Sequence, residues 1–273
     1  METIEEIVLR HSKRGMNLLR EYMQEEYCRM AAEEILSWKK GNIFLTTGFY
    51  VAGYAETDGP AGTVVLAQAL KKLGYTPVIL TDEYCRGFFE MKDFQVVYMR
   101  MASNEEFCRN VLMKYQPVGM ISIERCGKNI QDDYANMRGV SIKEHTAPTD
   151  LFFEMTRGTI PSIGVGDGGN EIGMGNVAEI ITEKLQLVPC RVLVDHLVIA
   201  TVSNWGAYGI TAWLQKLTGE DVFVTFEEVE EYIRKTVELG SVDGVTKEHV
   251  VSVDGFDMTV EKEIVEALRE KIS

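Results

Sequence analysis

Residues 42–48 read NIFLTTG, and residues 61–74 read AGTVVLAQALKKLG. The first is a short apolar run stopped by Gly48. The second spaces its apolar residues three and four apart and ends at Gly74. That change of period, from about 2 to about 3.6 residues, marks strand, loop and helix. The alternation recurs. TPVILT (76–81) precedes DEYCRGFFEM (82–91), FQVVYMR (94–100) precedes SNEEFCRNVLMKY (103–115), and PVGMISIE (117–124) precedes a long polar connection. Further on, a helix TDLFFEMTRG (149–158) leads into the strand TIPSIGVG (159–166), and LVIATVS (197–203) leads into the helix NWGAYGITAWLQKLTG (204–219). Repeated strand–helix units predict an α/β fold: a mainly parallel, Rossmann-like sheet with helices on both faces.

Outside this body, Ile4, Ile7, Val8, Met16, Leu18, Leu19, Tyr22, Met23, Ile35, Leu36 and Trp38 fall at helical spacing, with a break expected at Gly15 and its basic neighbours. The expected organisation is a helical segment over residues 1–40, packed outside an α/β domain over residues 41–273. The tail from Phe226 to Lys271 reads as mostly helical, and its acidic run FEEVEEY as a solvated face.

Composition narrows the function classes. At 273 residues and 45% hydrophobic, the chain can bury a core of enzyme size. A net charge of -14 would repel a phosphodiester backbone, so nucleic acid is not the expected partner. Five cysteines without a C-x-x-C pair indicate neither zinc nor a disulfide framework, and reduced thiols point to the cytoplasm. The start METIEEIVLR is acidic where a secretion signal is basic, and no apolar run approaches the roughly 20 residues that span a bilayer.

Parallel sheets carry their functional loops beyond the carboxyl ends of the strands. Three such loops bring acid to one edge. After NIFLTT come Gly48, Glu56 and Asp58. After GMISIE come Glu124 and Arg125, and later Asn136, Arg138, Lys143 and His145. After SIGVG comes DGGNEIGMGN (167–176), with Asp167, Gly168, Gly169, Asn170 and Glu171. Gly164, Gly166 and Gly169 match the dinucleotide pattern G-x-G-x-x-G, but Asp167 would set a carboxylate against a pyrophosphate, and the match comes late in the chain. A more economical account treats the acids as the purpose. Glycine removes bulk around Asp167, Asn170 and Glu171, and with Glu56, Asp58 and Glu124 these supply hard oxygen ligands for Mg²⁺ or Mn²⁺, with Ca²⁺ also admissible.

Five stretches together, TGFYVAGYAETDGPAGTVVLAQALKKLGY (47–75), SIER (122–125), YANMRGVSIKEHTAPTDLFFE (134–154), IPSIGVGDGGNEIGMGNV (160–177) and VSNWGAYGITAWL (202–214), resemble the carboxyl-terminal domain of the D-glutamate cyclase family, formerly a domain of unknown function. The resemblance runs from about Thr46 to Gly219. It implies a lyase that interconverts D-glutamate and 5-oxo-D-proline with loss or gain of water. Described cyclases carry an additional large amino-terminal domain where this chain has Met1 to Lys40, so a partner subunit carrying that domain, or a homo-oligomer, is the expected assembly. For such a reaction a cation held by Glu56, Asp58, Glu124, Asp167 and Glu171 would polarise the γ-carboxylate, with Asp167 and Glu171 central to the chemistry. His145 would take the amine proton. Arg125 or Arg138 would clamp the α-carboxylate, while Gly48, Asn136, Gly168, Gly169, Asn170, Asn204 and Trp205 would shape the pocket, Gly168 and Gly169 by offering main-chain N–H groups. Two other classes fit the same acids: a ligand-binding subunit without catalysis, and a metal-dependent phosphoesterase.

Overall fold

The structure is a computed structural model that describes residues 2–272; Met1 and Ser273, the outer ends of the two expected segments, lie outside it. Along the chain come α1 (Ile4–Val8), α2 (Met16–Leu19), α3 (Tyr27–Ser37), β1 (Asn42–Thr46), a small hairpin of β2 (Tyr50–Val51) and β3 (Tyr54–Ala55), α4 (Pro60–Lys72), β4 (Thr76–Thr81), β5 (Gln95–Tyr98), α5 (Glu105–Tyr115) and β6 (Gly119–Ile123). Then follow α6 (Asp150–Thr156), β7 (Ser162–Gly166), the short α7 (Ala178–Ile180), β8 (His196–Ile199), α8 (Ser203–Thr218), α9 (Phe226–Glu238), a second hairpin of β9 (Ser252–Val253) and β10 (Phe256–Asp257), and α10 (Met258–Ile272).

Six strands form one sheet in the order β5-β4-β1-β6-β7-β8, every neighbouring pair parallel. The predicted α/β architecture is therefore present, and the chain reverses its direction of travel across the sheet between β1 and β6. Such a switch point leaves a crevice at the carboxyl ends of those two strands. Side chains alternate along a strand. Phe44 of β1 meets Tyr115 of α5 and Phe152 of α6 at ring-centroid distances of 6.0 and 5.7 Å. Ile43 and Leu45 face the other side, that of α4 and α8, and both are fully buried.

Local chemistry explains the ends of the elements. α4 opens with Pro60 and α5 is capped by the Asn104 side chain, which accepts from the Phe107 N–H. α9 carries a capping box, the Thr225 side chain accepting from Glu228 N–H and the Glu228 carboxylate from Thr225 N–H. Its acids are solvated, while Val229, Tyr232 and Ile233 are buried. The stretch DEYCRGFFEM corrects the expectation of a helix. It forms two separate 3₁₀ turns, Glu83–Cys85 and Glu90–Lys92, because Gly87 between them adopts φ +89° and Phe88 and Phe89 turn into the core.

The amino-terminal segment breaks where its glycine stands, Gly15 at φ +85°. Its helices share the sheet's hydrophobic core: Ile4, Ile7, Val8, Met16 and Leu19 are buried in the same cluster as β1, β6 and α8. A satellite cluster of Phe49, Cys126, Tyr134 and Ile142 folds the long polar connection after β6 back over the crevice. All five cysteines are free and buried.

Candidate functional site

At the carboxyl edge of the sheet lies a cavity of about 490 Å³, lined at its acidic end by Arg14, Glu56, Glu124, Asp167, Asn170 and Glu171 and elsewhere by Tyr50, Asn136, Arg138, His145 and Lys247, among others. The loops after β6 and β7 are stitched together: the Gly127 N–H donates to Asn170 O at 3.0 Å and the Ile172 N–H to Arg125 O at 2.9 Å. That stitching brings Glu124 beside Glu171. Glu124 itself adopts φ +46°, a left-handed backbone that costs a residue with a side chain roughly 1–2 kcal/mol.

Two sets of carboxylate oxygens converge within 4.8 Å of one another: Asp58, Asp167 and Asp254, and Glu124, Asp167 and Glu171. Asp167 belongs to both. All five are buried. Asp58 sits at the amino terminus of α8, where its carboxylate accepts from the N–H groups of Ser203 (2.9 Å), Asn204 (2.8 Å) and Gly59 (2.8 Å). The Asp58 carboxyl group therefore already occupies the helix terminus at which a phosphate could otherwise be bound. Glu124 accepts from the Ser203 hydroxyl at 2.6 Å. Glu171 Oε2 accepts from the Gly169 N–H at 2.7 Å, while its Oε1 is buried without a hydrogen-bond partner, as is Oδ2 of Asp254.

Crowding and burial oppose ionisation here. Burial, and then the Asp254 charge, push Asp58 up to about 8. Burial followed by Asp254 and Asp58 raises Glu56, and burial followed by Glu171 raises Glu124. Burial raises Asp167 although Arg14 opposes the rise. Burial also raises Glu171, against the hydrogen bonds of its loop. For the Arg14 guanidinium, burial works toward deprotonation, but Asp167 and Asp254 outweigh it and raise its pKa.

Of the residues singled out from sequence, Glu56, Glu124, Asn136, Arg138, His145, Asp167, Asn170 and Glu171 line the cavity. His145 stacks on Tyr50, with centroids 4.2 Å apart and planes at 8°, and its Nδ1 is hydrogen bonded to the Tyr84 hydroxyl at 2.8 Å. Arg138 is exposed, held by an Asx turn in which its N–H donates to Asn136 Oδ1 at 2.9 Å. Several of the expected pocket residues sit elsewhere. Arg125 is 1% exposed and has a partner on each of its three nitrogens: it pairs with Asp82 at 2.7 Å and donates to the carbonyls of Gly48 and Ala147 and to Thr149 Oγ1. It holds the loops together and cannot clamp a carboxylate. Gly48 is at φ +99° with its carbonyl given to Arg125. The Asn204 Oδ1 accepts from Gly59 and Gly62 N–H, tying α8 to the start of α4. Trp205 is fully buried behind the site and donates to Glu261 at 2.6 Å. Gly168 and Gly169 serve the protein more than a ligand: Gly169, at φ +101°, gives its N–H to Glu171, and a Cβ on Gly168 would stand 2.7 Å from Glu171 Oε1.

Arg125→Met is expected to cost about 3–5 kcal/mol in urea unfolding, because Asp82 would keep a buried charge without its partner. A change below 1 kcal/mol would show that the pair is dispensable.

Three charged residues of the cavity or the cluster had no role in the sequence expectations. Arg14 reaches in from the amino-terminal segment: Nη1 stands 2.8 Å from each oxygen of Asp167, and Nη2 2.7 Å from Asp254 Oδ1. Its only sequence signal was the basic stretch HSKRG (11–15). Asp254 heads an Asp-Gly turn between β9 and β10, the commonest kind of turn signal and so uninformative by itself. Lys247 stands exposed at the cavity. It is carried by a loop wound around Asp243, which accepts from the N–H groups of Val245, Thr246 and Gly255 and from the Ser252 hydroxyl.

No helix among the described residues is long and apolar enough to cross a membrane. Among solved structures, the chain has a TM-score of 0.31 and 14% identity to a UDP-glucose 4-epimerase from Brucella ovis in complex with NAD, over 54% of this chain and 49% of that one, too remote to bear on the site. It is 30% identical over 222 residues to the human (Homo sapiens) protein "D-glutamate cyclase, mitochondrial", an alignment that takes in 72% of this chain and 35% of that protein. This chain thus spans about a third of the length of that relative. The family model described as "D-glutamate cyclase-like, C-terminal" matches residues 4–269, wider than the stretch legible from motifs and including Arg14 and Asp254. The chain belongs to the D-glutamate cyclase-like, C-terminal family.

Proposed function

We propose that this protein is a lyase of the D-glutamate cyclase type, interconverting D-glutamate and 5-oxo-D-proline with a divalent cation held by Glu124, Asp167 and Glu171. The observation that carries this is the buried, unpartnered Oε1 of Glu171 in a set of converging carboxylates at the cavity's acidic end. An orphaned carboxylate oxygen there is costly unless a cation meets it. Mg²⁺ and Mn²⁺ suit such a set, with water completing the shell.

Ring closure forms a bond between the α-nitrogen and the γ-carboxyl carbon and breaks one carbon–oxygen bond. Two protons leave the ammonium nitrogen and depart with that oxygen as water. A bound cation would supply Lewis acidity for the unreactive carboxylate. The chain's own groups do the rest. In the tautomer whose Nδ1–H donates to the Tyr84 hydroxyl oxygen, and with the ring fixed on Tyr50, Nε2 of His145 is free to take a proton from the amine. Glu56, raised by burial and by Asp254 and Asp58, holds a proton that the departing oxygen needs. Arg138, exposed on the cavity lining, meets the α-carboxylate, and Lys247 adds positive charge on the same lining.

A second reading, a ligand-binding subunit without catalysis, rests on the same buried carboxylates and cavity, which would hold a ligand whether or not chemistry follows. Thermal unfolding with and without Mn²⁺, in D- and L-glutamate, both 5-oxoprolines and a phosphoester, separates the possibilities. A ligand at 100 times its Kd stabilises by about 2.7 kcal/mol. The expected result is stabilisation by D-glutamate or 5-oxo-D-proline that needs Mn²⁺. Stabilisation by the phosphoester alone would replace the cyclase with a phosphoesterase, and stabilisation by D-glutamate without turnover would favour the binding subunit.

A further inference from the structure

The six carboxylates around the acidic end (Glu56, Asp58, Glu124, Asp167, Glu171 and Asp254) meet a single guanidinium, and its placement is uneven. In the set formed by Asp58, Asp167 and Asp254, Arg14 already supplies the cation, with one nitrogen on both oxygens of Asp167 and the other on Asp254. Asp58 has also spent its oxygens on three backbone N–H groups. Among the described residues, nothing plays that part for Glu124 and Glu171 in the other set. Glu124 accepts one hydroxyl, Glu171 accepts one N–H, and the remaining Glu171 oxygen is buried and unpartnered. Arg14 is two-sided in consequence: it neutralises one set and, through Asp167, touches the edge of the other.

We propose that Arg14 is a built-in cation that fills the Asp58–Asp167–Asp254 set and so limits the protein to one divalent ion, at Glu124–Asp167–Glu171. This rests on the cation reading above and adds its number and position. The amino-terminal segment is then part of the site, since it carries the charge that keeps a second ion out. Removing the guanidinium leaves Asp254 with neither oxygen paired and Asp167 with both freed, which turns the first set into a second cation site. A lysine at position 14 preserves the positive charge and the exclusion.

Counting bound Mn²⁺ per chain by electron paramagnetic resonance, on the full chain, tests this directly. Wild type and Arg14→Lys are expected to bind one ion, and Arg14→Met two. Glu124→Gln is expected to weaken wild-type binding at least tenfold. Two ions on the wild type, or one on an Arg14→Met protein whose circular dichroism is unchanged, would overturn the role given to Arg14 and leave the cation reading standing. No ion on the wild type would remove the cation reading, and this inference with it. If Arg14→Met does not fold, the wild-type count still decides between one ion and two.

Discussion

Asp167→Asn is expected to abolish measurable divalent-cation binding and to slow turnover of D-glutamate by about 10²- to 10³-fold, the usual cost of one lost electrostatic contact to a transition state. No other side chain is shared by both converging carboxylate sets, and Asp167 also receives Arg14 at 2.8 Å on each oxygen. The substitution keeps the shape and removes the charge. Asparagine still accepts one hydrogen bond from the guanidinium, so the fold should persist, with Arg14 held mainly by Asp254 at 2.7 Å. Isothermal titration with Mn²⁺ and a turnover assay on the same preparation read both effects. Unchanged affinity together with an unchanged rate would remove Asp167 from the site.

The second large effect is on stability against pH. Asp58 titrates at about 8 in the folded protein, against 3.8 ordinarily, and burial raises Glu56, Glu124, Asp167 and Glu171 in the same direction. Between the two values the native state holds protons that the unfolded chain has released. Stability therefore falls as pH rises through that window and is greatest toward its acid end. These groups share one cluster and Arg14, so their effects do not add, and a net loss on the order of 2–4 kcal/mol is expected between pH 5 and 8. For a chain of this size that lowers the melting temperature by roughly 5–10 °C in EDTA. Saturating Mn²⁺ binds the ionised carboxylates and should flatten the curve. A metal-free melting temperature that holds steady or climbs from pH 5 to 8 would contradict the raised pKa of Asp58. The chain's surplus of acids elsewhere acts with and without Mn²⁺ alike, so the difference between the two curves isolates the site.

Much of this architecture is legible without coordinates, for a physical reason. A parallel sheet covered on both faces demands short continuous apolar strands, and NIFLT, TPVILT and GMISI advertise themselves by that demand. Because such sheets place function beyond the strand ends, the acids after β1, β6 and β7 followed from the same pattern. What the pattern hides is who pairs with whom. Arg125 looks like an anion clamp until its partners Asp82, Gly48, Ala147 and Thr149 are seen to engage all three nitrogens of the guanidinium. Arg14 and Asp254 stand 240 positions apart and meet only because the amino-terminal segment and the β9–β10 hairpin converge on one crevice. No local periodicity records that convergence. The glycines misled in a third way. Their abundance suggested main chain offered to a ligand, whereas Gly169 spends its N–H on fixing the carboxylate of Glu171.

Carbon-13 NMR of D-glutamate labelled at the γ-carboxyl, incubated with the wild-type chain alone, tests the central claim most directly. The label moves from carboxylate to lactam carbonyl as the ring closes, and the same spectrum followed from labelled 5-oxo-D-proline reports the reverse direction. With Mn²⁺ present, the two samples should converge on one ratio of glutamate to 5-oxoproline; in EDTA, or with Glu171→Gln, they should stay near their starting points over the same hours. Two samples that never converge in Mn²⁺, from either substrate, would contradict the assignment of cyclase chemistry to this chain.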